Sequence, residues 1–209
     1  MQAEPGAVEA ALRAAQCGDL AAFNRLVQLY ERQVYNVCYR MLGNVEDAAD
    51  ATQDAFLGAY RGLKTFRGPA AGFRPWLLRV AMNACYDQLR RRRRRPVDRL
   101  DDTERTNPGS EEPSAAERLP DPDPGPEQRA LSAETAGRIQ AALARLSPEQ
   151  RLTVILCDVH GLSYEEAAAA MAVELGTVKS RLSRARAQLR DLLAALGELP
   201  AAGRRLEQR

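Results

Sequence analysis

Five cations crowd one short segment near the C-terminal end of the 209-residue chain: Lys179, Arg181, Arg184, Arg186 and Arg190. Interleaved with them, Val178, Leu182, Ala185, Leu189 and Leu192 recur at steps of 4, 3, 4 and 3, which is one face of a helix. A helix that buries this stripe turns its cations outward. Guanidinium groups present planar forks of donors that match phosphate oxygens and the edge of guanine. The chemistry on offer is recognition of a polyanion. Upstream, Ser163 with Glu166 three residues later reads as a capping box and starts a preceding helix. Helix, tight turn and basic helix together predict a helix-turn-helix whose second helix enters duplex DNA. On a wheel anchored at Val178, residues Thr177, Ser180, Arg181 and Arg184 share one side of the exposed face, and Lys179, Ser183 and Arg186 the other. Arg181 and Arg184 are expected at base edges, Lys179 and Arg186 at phosphates. The plainer alternative is a surface helix with solvated charges.

Residues able to make or break bonds are scarce. His160 is the only histidine, placed where a helix C-terminus is expected. The four cysteines, Cys17, Cys38, Cys85 and Cys157, lie far apart and lack metal-ligand spacing. There is no phosphate loop and no nucleophile with a base at useful spacing, so the sequence predicts no enzyme, no metal site and no cofactor. Cys38 and Cys85 fall on apolar helix faces, as buried reduced thiols of a cytoplasmic protein would. No stretch approaches the roughly 20 apolar residues needed to span a membrane, and the N-terminus lacks a signal-peptide pattern. Net charge is only +2, and the sole lysines are Lys64 and Lys179. An Arg bias of this kind can also follow from a GC-rich genome, so it carries little weight.

The elements that must position these residues read as helices throughout. A short amphipathic start at 7–16 precedes a long helix from Leu20 to Leu42, stopped by Gly43. Asn44 with Asp47 resembles a cap for a helix at about 45–63. There Asp47, Asp50 and Asp54 form an acidic stripe, either a solvated face balancing nearby Arg or a surface for a cationic partner. Residues 65–74 read as a loop, and Pro75 as the first turn of a third long helix. That helix ends in six consecutive arginines, Arg90 to Arg95. Its polar face carries Arg79, Asn83, Asp87 and Gln88. Phe66, Phe73 and Trp76 cluster at its start, either as core or as planes for unstacked bases beside backbone-binding charge. Phe73 and Trp76 suit the core; Phe66 fits either place.

Between Pro96 and Glu127 the composition shifts to ten acids against three arginines, with seven of the twelve prolines in Pro96–Pro126. No apolar period survives, which predicts an extended or disordered linker. Its acidity serves solubility or mimics nucleic acid in a basic channel. Leu131, Ile139, Leu143 and Leu146 then recur at helical spacing, and Ser147-Pro148-Glu149-Gln150 starts a helix running to about His160-Gly161. The expected fold is all-α: an N-terminal helical bundle (1–95), an acidic Pro-rich linker (96–129), a helix-turn-helix domain (130–196) and a frayed tail (197–209).

With both halves in view, the chain resembles the extracytoplasmic-function group of bacterial RNA polymerase sigma factors, over about 18–95 and 130–193. Asp47-Ala-Ala-Asp-Ala-Thr-Gln-Asp-Ala-Phe-Leu-Gly-Ala-Tyr60 is similar to the family segment that docks on the clamp coiled coil of the largest polymerase subunit. The resemblance implies Asp47, Asp50, Gln53, Asp54, Phe56 and Tyr60 as polymerase contacts. Phe66-Arg-Gly and Phe73 to Asn83 are similar to the part that opens and reads the −10 element. It implies Phe66, Phe73, Trp76, Arg79, Asn83, Asp87, Arg90 and Arg91 there, with a flipped base above Asn83. Leu146-Ser-Pro-Glu-Gln-Arg151, Gly161 to Ala167 and Gly176 to Arg186 resemble the domain that reads the −35 element. In the family this domain also meets the polymerase flap, the linker threads toward the active centre, and an anti-sigma factor commonly holds the protein inactive. Two features depart from the family pattern. Pro69-Ala70-Ala71-Gly72 replaces a polar Glu-Ser-Ser loop, removing hydroxyl and carboxylate partners from the base pocket. Ala172-Val173-Glu174 occupies a turn that often holds Pro.

A different reading is an autonomous helix-turn-helix regulator that binds a palindrome as a dimer, with residues 1–95 sensing or dimerising. Retention on core polymerase separates the two.

Overall fold

The computed structural model describes residues 5–94 and 126–195; the expected linker core (96–125), Arg95 and the tail lie outside them. Every regular element in the described residues is helical. The first four helices are α1 (Pro5–Gln16), α2 (Leu20–Leu42), α3 (Val45–Gly62) and α4 (Ala70–Arg94). The second set is α5 (Pro126–Ala144), α6 (Pro148–Val154), α7 (Tyr164–Met171) and α8 (Leu175–Ala195). Among these residues no helix is long and apolar enough to cross a membrane.

Local chemistry sets most boundaries. Asp19 caps α2, its side chain accepting from the Ala22 N–H at 3.0 Å. Gly43 ends that helix in the left-handed region (φ 72°), and its N–H donates to the Tyr39 carbonyl. Glycine takes this φ without the Cβ penalty other residues carry. Asn44 restarts the chain by accepting from the Asp47 N–H at 2.9 Å. Ser147 with Gln150 and Ser163 with Glu166 both form reciprocal capping boxes.

Three boundaries differ from the sequence reading. Helix α5 begins at Pro126, four residues inside the expected 96–129 linker. Helix α4 starts at Ala70, five residues before Pro75, so the proline lies inside it. Tertiary packing explains this: Phe73 is 1% exposed, and its burial holds residues 70–74 in a first helical turn. The helix from Pro148 also does not continue regularly to His160. It gives way to a π-helical turn at Ile155–Val159, which buries Ile155 and Leu156.

In the N-terminal bundle α2, α3 and α4 bury Leu26, Val34, Val37, Met41, Leu77 and Leu78 against small residues of α3, including Ala48, Ala51 and Ala55. Those alanines let the three backbones approach closely. Cys38 and Cys85 face each other in this core, and the hydrogen bond with the Cys38 thiol, together with burial, pushes the Cys85 thiol up. In the C-terminal half Leu143, Leu146, Val154, Leu182 and Ala185 form a second core. The two halves are not separate. Leu152, Ile155, Leu156, Leu162, Ala167 and Val178 join the N-terminal core. The side chain of Leu131 lies outside the described ones.

Candidate nucleic-acid interface

Helix α8 buries Val178, Leu182 and Ala185, as the spacing predicts, and exposes Lys179, Ser180, Ser183, Arg184, Arg186 and Arg190. Val173 and the left-handed Ala172 (φ 52°) form the turn that sets its angle to α7. A non-glycine residue there is a strained choice. The cations do not share one environment. Arg184 folds back on its own helix, Nε donating to the Ser180 carbonyl at 3.2 Å and Nη2 to its hydroxyl at 3.3 Å. Arg186 is held by Asp158, which also raises its guanidinium pKa above the ordinary value. Lys179 makes no ion pair among the described residues. Lys179, Arg186, Arg190 and Tyr164 line an open groove. Thr177 is half-buried at the first turn, where its N–H donates to the Glu174 carbonyl.

On α4, Arg79, Asn83 and Asp87 are exposed, and Asp87 pairs with Arg90 one turn on. The aromatic cluster gathers at the N-terminal end of this helix, with the half-buried Trp76 two turns before Asn83 on the same side. Phe66, Phe73 and Trp76 pack on one another with ring centroids 5.2–5.9 Å apart, and Tyr30 meets Phe73 edge-on at 5.6 Å. Phe66 is 8% exposed and Phe73 1%, so neither offers a free ring face to a base in this arrangement. A Cβ on Gly68 would meet the Phe66 ring at 2.8 Å, which shows how tightly the loop covers it.

On α3 the acidic stripe is divided. Asp54 lies 3.7 Å from Arg91, and Asp47 pairs with Arg92. Asp50 and Gln53 are exposed, and Asp50 has no ion pair among the described residues. Leu57 and Tyr60 on the same helix are 47% and 43% exposed, Tyr60 resting edge-on against Phe23 at 5.0 Å. Phe56 is half-buried.

Sequence spacing gave no hint that the two polar faces meet. Arg79, Asn83 and Tyr86 of α4 share a cleft of about 270 Å³ with Glu149, Met171, Val173 and Arg181 of the C-terminal half. Burial raises the Tyr86 phenol, with Glu149 adding and Arg181 opposing. Polar contacts fix the approach. Gln140 donates to the Tyr39 and Arg40 carbonyls, and Arg151 to that of Met41, so the end of α2 is capped from the other half. Arg74 donates to the His160 carbonyl. Oriented with its oxygen toward Arg74, Gln33 accepts from Nε and Nη2 at 2.8 Å. The sequence reading missed Arg151, the cation in the last turn of α6, because its carbonyl partners lie on other helices, α5 and α2.

Residues 26–95 match the family described as Sigma-70 region 2, and residues 136–189 match Sigma-70, region 4. The chain is 39% identical over 185 residues to the ECF RNA polymerase sigma factor SigM of Mycobacterium tuberculosis, covering 88% of this chain and 84% of that one. It is 40% identical over 180 residues to SigE of Mycolicibacterium smegmatis, covering 85% of this chain and 65% of that longer protein. Among solved structures it is similar to the sigma factor RpoE of Bartonella quintana, crystallised with the anti-sigma factor NepR. That likeness has a TM-score of 0.60 at 28% identity and covers 82% of this chain and 96% of the other. Both matched regions, in this order on one helical chain, place it in a family: the chain belongs to the extracytoplasmic-function sigma factors of the sigma-70 type.

Proposed function

We propose that this sigma factor binds core RNA polymerase and directs it to promoters whose −35 element is read by α8 and whose −10 element is opened and read by α4. The observation that carries this is the coincidence of region-2 and region-4 matches with an exposed polar face on each of those helices. Arg184 and Arg181 serve as base readers in the major groove, Thr177, Ser180 and Ser183 flank them, and Lys179 holds phosphate. Arg79, Asn83, Asp87, Arg90 and Arg91 face the melted strand. The aromatic cluster of Phe66, Phe73 and Trp76 buttresses that face and shapes the base pocket. Asp50 and Gln53, with Tyr60 and Phe56 beside them, dock on the clamp coiled coil of the polymerase, and Asp47 and Asp54 join once released from Arg92 and Arg91. The C-terminal half meets the flap. The chain works in the cytoplasm, and the polymerase supplies all catalysis.

The closed arrangement must open for this to work. The two promoter elements lie some 25 base pairs apart, roughly 80 Å of duplex at 3.4 Å per pair. Arg181 and Asn83 share a single cleft here and cannot reach both elements at once. Polymerase binding stabilises the separated form, and an anti-sigma factor that favours the closed form opposes it. A pull-down with purified core polymerase tests the reading. Stable retention and promoter-specific run-off transcripts are expected; no retention, with tight binding of the free chain to duplex DNA, contradicts it.

A further inference from the structure

Asp158 lies at the end of the π-helical turn, outside every segment that resembles a DNA-reading motif. Its carboxylate grips Arg186 side-on: Nε donates to Oδ2 at 3.0 Å and Nη2 to Oδ1 at 2.5 Å. This bidentate fork is the strongest geometry open to a carboxylate and a guanidinium. The pair sits at the edge of the groove that Arg186 shares with Lys179 and Arg190, and Arg186 remains 52% exposed. Asp158 engages two of the five guanidinium N–H donors and the Tyr164 hydroxyl lies beside the same guanidinium, while the donors on its far edge are directed away from the carboxylate.

We propose that Asp158 is a specificity-determining residue: it holds Arg186 so that the guanidinium adds directed donors, but no net charge, to the DNA-facing groove. This rests on the reading that α8 enters the duplex. Sequence-independent affinity comes from cations that neutralise phosphates and release counterions. An arginine already neutralised by a carboxylate releases none. For Arg186 to take a phosphate with its engaged edge, two charge-assisted bonds must break, and Asp158 would be left beside the phosphate. The free end of the fork, in contrast, has a fixed plane and can meet a base edge without losing its partner. The pair therefore lowers binding to arbitrary duplex more than binding to the correct −35 element. On this proposal Arg186 reads a base edge, where the sequence-based expectation has it holding a phosphate. Asp158 acts through Arg186 and is a positioning residue.

The test uses the full chain bound to core polymerase, a promoter duplex selected by run-off transcription, and the same duplex with its −35 element scrambled. Affinity is measured by anisotropy across a salt series. Asp158→Asn frees Arg186 for phosphate, so the slope of log affinity against log salt steepens by about 0.9. Binding to the scrambled duplex tightens several-fold, and the ratio of correct to scrambled affinity falls. In an Arg186→Gln background the Asp158→Asn change leaves the slope where it was, which a mere loss of one negative charge near the duplex would not do. Lys179→Ala is the control and flattens the slope by about 0.9. An unchanged slope and ratio in Asp158→Asn, with the Lys179 control responding, overturns the proposal alone. A Lys179 control that does not respond overturns the placement of α8 in the duplex, and this proposal with it. Melting curves of each variant separate these effects from loss of fold.

Discussion

The Arg151 guanidinium joins the two halves of the chain: its Nη1 donates to the Met41 carbonyl at 2.5 Å, 110 residues away in sequence. The same side chain donates from Nε to the Leu143 carbonyl and from Nη2 to those of Ala144 and Leu146. One cation thus closes the C-terminal ends of α5 and α2 together, where the helix dipoles favour positive charge. Burial pulls its pKa below the ordinary arginine value, so the four carbonyl contacts must offset a desolvation cost.

Replacing Arg151 with Ala leaves those carbonyls without their shared donor. Hydrogen bonds to charged groups contribute about 1.5–3 kcal/mol each, partly shared here, so a loss of roughly 3 kcal/mol is expected. Denaturant unfolding of the free chain reads the stability. Small-angle scattering reads the second consequence, a larger radius of gyration as the halves separate.

His160 makes the closed arrangement sensitive to acid. Its Nε2 is buried without a hydrogen-bond partner among the described residues, and its Nδ1 lies 3.5 Å from the Gln33 amide. Burial, with Arg74 and Arg40 nearby, lowers its pKa from 6.5 to about 4. The closed form therefore binds fewer protons than the open form between those values. Its stabilising contribution is complete above about pH 6.5 and is lost as pH falls toward 4. Scattering should show opening at ~pH 5 relative to ~pH 7.5, and His160→Gln should remove most of that response.

Arg184 and Lys179 should differ in kind. In the polymerase complex, Arg184→Ala costs about 1–3 kcal/mol on the preferred −35 sequence and relaxes preference at one position. Lys179→Ala weakens all duplexes alike. Competition between promoter and scrambled duplex separates the two, and equal losses on both by Arg184→Ala would remove it from the base readers.

On α3, Asp50→Ala should weaken core polymerase binding more than Asp54→Ala does. Asp54 already faces Arg91, whereas Asp50 has no ion pair among the described residues. Exposed pairs contribute about 0–1 kcal/mol, so neither change should lower the melting temperature of the free chain appreciably. Surface plasmon resonance on immobilised core polymerase compares them.

Local signals were legible where local chemistry decides. The caps at Asn44, Ser147 and Ser163 and the stop at Gly43 need only neighbouring residues, and each shows in the sequence. The buried stripe of α8 follows from spacing alone. The start of α4 was misplaced because Pro75 favours a first turn, while the burial of Phe73, a tertiary effect, places the turn earlier. The π-helical turn was illegible for the same reason. Packing of Ile155 and Leu156 into the N-terminal core selects it, and nothing in their order announces it. Least legible was the meeting of Arg181 with Tyr86 and Asn83, since periodicity says which face of a helix is polar and nothing about what it faces. The pairing of Asp158 with Arg186 spans 28 residues and depends on that same turn.

The central claim is that this chain lets core polymerase find and open promoters. Run-off transcription by purified core polymerase on a genomic fragment library, with and without the chain, tests it most directly. The account predicts discrete transcripts only when the chain is present, starting downstream of a shared −35 and −10 pair. It also predicts that Arg184→Ala changes which promoters are chosen. Identical transcript profiles with and without the chain would contradict it.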